Sequence, residues 1–160
     1  MILVIALVAY ASAMVVANLS VAAFGPWVTP INAFLLIGLD LALRDWLHVR
    51  LRMSQMAALI AVSGALTYML NPAAGIIAIA SASAFTLAAI ADWSVFAAVK
   101  GSWLKRANAS NVVGAAVDSL VFPTIAFGAL LPHIVAMQFV AKVAGGALWA
   151  FLLHRFRRAP

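Results

Sequence analysis

Asp40, Asp92, Asp118 and Lys142 fall inside long apolar runs of this 160-residue chain, and they are the residues best able to do chemistry there. An ionisable side chain in a membrane-spanning helix costs roughly 2.5–3.5 kcal/mol on insertion scales, so each should face a bundle interior and meet a partner or a watery cavity. Helical spacing shows what shares their faces. Asn111, Gly114, Asp118 and Phe122 recur at intervals of three, four and four residues, which stacks an amide, a carboxylate and an aromatic ring on one stripe. Gln138, Lys142, Gly145 or Gly146, and Trp149 form a second stripe, whose glycines permit close approach of a neighbouring helix or a ligand. Phe85, Asp92 and Phe96 align on a third, with Trp93 beside the aspartate, and Asn18 and Asn32 add amides nearer the opposite membrane face.

These groups do not assemble a catalyst. Ser110 and Ser119 have no intramembrane histidine to act as base, the four aspartates lack the spacing of a metal site, and there is no cysteine, so neither an enzyme nor a metal or other cofactor is expected. Carboxylates, an amine, amides and aromatic rings in one small bundle suit a binding site for a flat polar solute. Plainer readings exist for the same residues. Asp40 and Arg44, four apart, can form an interfacial ion pair along one helix. Lys142 can neutralise Asp118 or Asp92 as a structural pair that sets helix register. Asn18 and Asn32 can be interhelical packing contacts.

The elements that must position these residues follow from composition. Hydrophobic residues make up 67% of the chain and charged ones 9%, too apolar for a water-soluble surface. Mean hydropathy is +1.12. A spanning helix needs about 20 apolar residues, and six runs qualify: roughly Ile2 to Phe24, Ile31 to Val49, Met56 to Leu70, Ala73 to Val99, Asn111 to Leu131 and Ile134 to Leu153. Gly25-Pro26 with Pro30, Asn71-Pro72 and Pro132-His133 are uncharged breakers suited to tight turns at one membrane face. These alternate with basic segments: Arg44, Arg50 and Arg52; Lys100, Lys105 and Arg106; Arg155, Arg157 and Arg158.

The expected fold is therefore all-α, a single domain over residues 1–160 forming a six-transmembrane-helix bundle. The basic clusters place both termini in the cytoplasm by the positive-inside rule. The net charge of +6 marks topology, and the basic loops are too short for a nucleic-acid module. Trp27, Trp46, Trp103 and Trp149 fall near helix ends, where interfacial anchoring accounts for them. The lipid bilayer and a small solute are the expected partners, and a homo-oligomer is compatible with the sequence.

The stretch SNVVGAAVDSLVFPTIAF, Ser110 to Phe127, resembles the Ser-Asn, Asp-Ser, Phe and Ile-Ala-Phe signature of the queuosine-precursor transporters, also called the VUT family. Weaker matches follow in the right order: ANLSVAAFG from Ala17, LIGLDLALRD from Leu36, ADWSVFAAV from Ala91, and QFVAKV from Gln138, which resembles the lysine-bearing last helix. The resemblance implies a six-helix transporter in the bacterial inner membrane that imports 7-cyano-7-deazaguanine or a related 7-deazaguanine for salvage into tRNA or a modified DNA base. Carried over by position, it implies roles for Asn18, Asp40, Arg44, Asp92, Asn111, Asp118, Ser119 and Lys142. Such a base presents a ring N–H and an amine that one carboxylate, Asp118 or Asp92, can accept together. Its carbonyl and nitrile suit Asn111 or the Lys142 ammonium, and Phe122, Phe96 or Trp93 can stack on the ring, with Gln138 on the same wall as Lys142.

Two other classes fit the same composition. One is the substrate-binding subunit of an energy-coupling vitamin importer, for which Ala9, Ala13 and Ala17 offer a small-residue docking face. The other is a proton or ion channel in which the aspartates and lysine form a relay.

Overall fold

The computed structural model describes residues 2–157; Met1 and the end of the last basic cluster, Arg158 to Pro160, lie outside the described residues, as do the side chains of His48, Phe156 and Arg157. Among the described residues helix is the only regular element, and six helices are long and apolar enough to cross a membrane: Ile2–Phe24, Pro26–Leu47, Met53–Leu70, Pro72–Ala98, Trp103–Phe127 and Pro132–Arg155. An even number of spans brings both ends of the chain to one end of the bundle, here the terminal end. Ile2, Val4, Ile79, Leu87, Ile90, Val140 and Phe151 are exposed around the outside, which is a lipid-facing surface and would be intolerable in water.

The first span ends where its composition predicts, at Gly25, whose φ of 80° takes the backbone into a region that disfavours a side chain. The fifth begins eight residues earlier than hydropathy alone suggests. Ser102 caps it by accepting a hydrogen bond from the Lys105 amide at 3.3 Å, so Lys105, Arg106 and Asn108 are helical residues and not loop.

The second span is the irregular one. It starts as a 3-10 turn at Pro26–Val28, continues as an α-helical turn at Thr29–Asn32, widens to a π-helix over Ala33–Ile37 and resumes as α-helix at Gly38–His48. Such π-turns are frequent at functional sites because they re-aim side chains and loosen the carbonyl ladder. Here the Leu35 carbonyl accepts a hydrogen bond from the Trp149 indole at 3.0 Å, which ties the widened turn to the sixth span. A further irregularity is Pro123 inside the fifth helix, one turn beyond Ser119.

The second and sixth spans cross almost backbone to backbone. A Cβ on Gly38 would lie 2.6 Å from the Gly145 carbonyl carbon, and one on Gly145 would fall on the Phe34 carbonyl oxygen. Neither neighbour is a side chain that can swing away. Gly145→Ala should therefore force the helices apart and cost about 1–3 kcal/mol. The expected result is a melting temperature in detergent several degrees below wild type; an unchanged value would show slack in the crossing.

Tyr10, Met14, Leu41, Leu47 and Phe96, all fully buried, close the terminal half of the bundle. Two expectations are corrected by this packing. Arg44 is not a surface base flanking the second span: it is 2% exposed and lies among the spans. Ala13 and Ala17 are buried as well, so that alanine face is turned into the bundle and offers no docking surface.

Candidate functional site

A small cavity of about 30 Å³ lies in the half of the bundle away from the termini. Each span except the third contributes to its wall: Asn18 and Val21 from the first, Thr29, Asn32 and Ile37 from the second, Ser81 and Phe85 from the fourth, Asp118 and Phe122 from the fifth, Gln138 and Lys142 from the sixth. The π-turn of the second span and Pro123 of the fifth both flank it. Lys142 is the hub. Its ammonium is 2.6 Å from Asp118 Oδ2, donates to Gln138 Oε1 at 2.7 Å and to Ser119 Oγ at 3.2 Å. An ammonium has three hydrogens, and three protein acceptors take them.

What this leaves open is more informative than what it closes. Among the described residues, Asp118 Oδ1 and Gln138 Nε2 are buried atoms of the cavity lining with no protein partner. One is a charged acceptor and the other a neutral donor, and both side chains hang on the same ammonium. Phe85 and Phe122 supply apolar faces beside them.

The other amides of the lining are engaged within the protein. Asn18 donates to Thr67 Oγ1 at 3.3 Å and accepts from Ser81, so it joins the first, third and fourth spans. Asn32 donates to Ser20 Oγ at 2.7 Å and to the Ala17 carbonyl at 3.3 Å, which pins the second span to the first. Both asparagines thus hold the wall in shape.

A second polar group occupies the terminal half. Arg44 pairs with Asp40 at 2.9 Å, with Tyr10 beside them and the guanidinium 5.6 Å from the Phe85 ring centre. This is a buried pair rather than an interfacial one, and Phe85 connects it to the cavity. Beyond it, Ser110 donates to Asp45 Oδ1 at 2.9 Å, and Asp92 stands against Asp45. Gly114 packs against this acid: a Cβ there would sit 3.4 Å from Asp92 Cβ and Oδ1.

The residues singled out in the sequence therefore separate into two places. Asn18, Asp118, Phe122, Gln138 and Lys142 line the cavity, and Ser119 reaches it through Lys142. Asp40, Arg44, Asp92 and Asn111 belong to the terminal half, where Asn111 packs against Gly146. Phe96 sits in a cluster with Ala42, Ala107 and Ala150, its ring 4.1 Å from the Arg106 guanidinium, and half-buried Trp93 is not part of the cavity lining. Sequence reasoning passed over Thr67 and Ser81, whose partner Asn18 lies in another span, over Thr29, which lines the cavity and donates to the Pro26 carbonyl, and over Asp45. The signal for Asp45 was its place in the last turn of a largely apolar span, masked by the neighbouring Arg44 and Trp46.

An all-helical, lipid-facing bundle enclosing a small polar cavity with an unsatisfied donor and acceptor is built to carry a solute. Residues 1–154 match the family model described as "Putative vitamin uptake transporter". The chain belongs to this family of transporters, and it is a multi-pass membrane protein. No curated protein and no solved structure matches it.

Proposed function

We propose that the chain imports a 7-deazaguanine base, 7-cyano-7-deazaguanine or a close relative, across the bacterial inner membrane for salvage. The observation that carries this reading is the pair of free atoms in the cavity. A guanine-type base offers a ring N–H next to a ring carbonyl, and Asp118 Oδ1 can accept from the first while Gln138 Nε2 donates to the second. The contact to the carboxylate is charge-assisted and the stronger of the two. Phe85 or Phe122 can take the ring face, a contact worth roughly 1–3 kcal/mol for bases elsewhere. Lys142 is then a positioning residue that orients the acid and the amide. The nitrile or aminomethyl substituent points toward the second span, where the π-turn widens the wall.

Expression in a bacterium lacking both precursor synthesis and its own importer, fed a low concentration of 7-cyano-7-deazaguanine, tests the proposal through the queuosine content of tRNA on boronate gels. Return of queuosine is the expected result. Guanine should compete for uptake because it keeps the N–H and carbonyl edge, and adenine, which lacks that edge, should not. Absence of queuosine with the protein in the membrane overturns the reading. Copurification with an ATPase coupling module would then favour a vitamin-importer subunit, and solute-independent conductance a channel.

A further inference from the structure

Buried charge between the spans does not balance. Among the described residues four aspartates and two cations are enclosed between the spans: Asp40, Asp45, Asp92 and Asp118 against Arg44 and Lys142. Lys142 is bound to Asp118 and Arg44 to Asp40. Asp45 and Asp92 share no ion pair with either. Both are 0% exposed and in side-chain contact with each other. Two carboxylates in contact and out of water do not both ionise.

The hydrogen-bond pattern says the same. Ser110 Oγ is shared between Asp45 Oδ1 and the Ala107 carbonyl, while Asp45 Oδ2 and both Asp92 oxygens have no protein donor. One proton on Asp92, donated to Asp45 Oδ2, satisfies an oxygen on each side. Asn111, 1% exposed with both amide atoms unpartnered, follows Ser110 directly. The charged and titratable groups around the pair are Arg44 and, about it, Tyr10 from the first span, Asp40 from the second, Asp118 from the fifth and Lys142 from the sixth, with Arg106 held on the Phe96 carbonyl. None of these cations is bonded to either acid.

We propose that Asp45 and Asp92 form a proton-binding site, distinct from the solute cavity, that couples proton movement to transport. The site lies toward the terminal end. Asp92 precedes the last residue of its span, Ala98, by about 9 Å of helix, and Phe96 with Arg106 lies between. Its connection to the cavity runs through Arg44, adjacent to Asp45, to Phe85 in the cavity wall. Loss of the proton leaves a charge that draws Arg44 away from Asp40, and Phe85 moves with it. The inference rests on the transporter reading and not on the identity of the solute.

Two measurements test it. In purified protein at neutral pH, infrared spectra should show the carbonyl stretch of a protonated carboxylic acid, shifted in heavy water and lost in both Asp92→Asn and Asp45→Asn. The amides replace the acid in nearly the same volume, so both variants should fold. In liposomes, an inside-alkaline gradient should drive accumulation of labelled 7-cyano-7-deazaguanine, about tenfold per pH unit for one proton per solute, because one pH unit and a tenfold ratio are the same free energy. That ratio should fall to one in either variant. Absence of the acid band, its survival in both variants, wild-type uptake indifferent to the pH gradient, or stimulation by sodium instead overturns the proposal. The band without any uptake of the base supports the proton site and overturns the solute assignment.

Discussion

Uptake by an Asp118→Asn variant should fall by about two orders of magnitude or more while the protein remains in the membrane. The substitution barely changes shape, but it changes which atom faces the cavity. Lys142 binds the oxygen that remains, as it now binds Oδ2 at 2.6 Å. The amide nitrogen then takes the place of Oδ1. An acceptor becomes a donor, and a ring N–H that had a charged partner meets another N–H. The lost charge-assisted bond is worth about 1.5–3 kcal/mol and each stranded donor about 1–3 kcal/mol, together a factor of a hundred or more. The check is the initial rate of labelled base uptake, normalised to protein in the membrane fraction. A wild-type rate would remove Asp118 from the solute site and with it the reading of the cavity as a base pocket.

How far this site was legible in the sequence depends on the range of each interaction. The stripe of Asn111, Gly114, Asp118 and Phe122 was visible because helical period alone puts those residues on one face, and all four are buried. The tie between Lys142 and its fifth-span acid was visible only as a choice between Asp118 and Asp92, since periodicity gives a face and not the depth at which two helices meet. The depth at which the fifth and sixth spans meet follows from close packing such as Asn111 against Gly146, and the widening over Ala33–Ile37 carries no signature of its own in five apolar residues. Asp45 was hidden for a different reason. Its bond to Ser110 joins residues 65 apart in the chain, and beside Arg44 it resembles the polar edge of a span. Basic residues near a helix end are read as flanking charge, which holds for exposed Arg50 and fails for Arg44.

Lys142→Met, by contrast, should act on the fold before it acts on transport. Methionine fills the volume of the lysine stem, so the loss is electrostatic. Asp118, 2% exposed, loses the ammonium, and neither of its oxygens then has a donor. Breaking a buried pair by removing one partner costs about 3–5 kcal/mol. That is a large share of the roughly 5–15 kcal/mol that holds a domain together. Gln138 Oε1 and Ser119 Oγ lose their donor at the same time. The Asp118→Asn variant leaves the Lys142 ammonium without its counter-ion, but that ammonium still meets three oxygens, so its cost should be the smaller of the two. The double variant, Asp118→Asn with Lys142→Met, should regain much of the stability, since it strands no charge, and should still fail to take up the base. Thermal unfolding in detergent across the four proteins measures the coupling directly. Recovery of stability without recovery of uptake separates the two roles: Lys142 secures the wall, and Asp118 presents its free oxygen to the solute. Independent, additive losses would mean that the 2.6 Å contact contributes no coupling of its own, and that the wall is held by the asparagine ties and the glycine crossing.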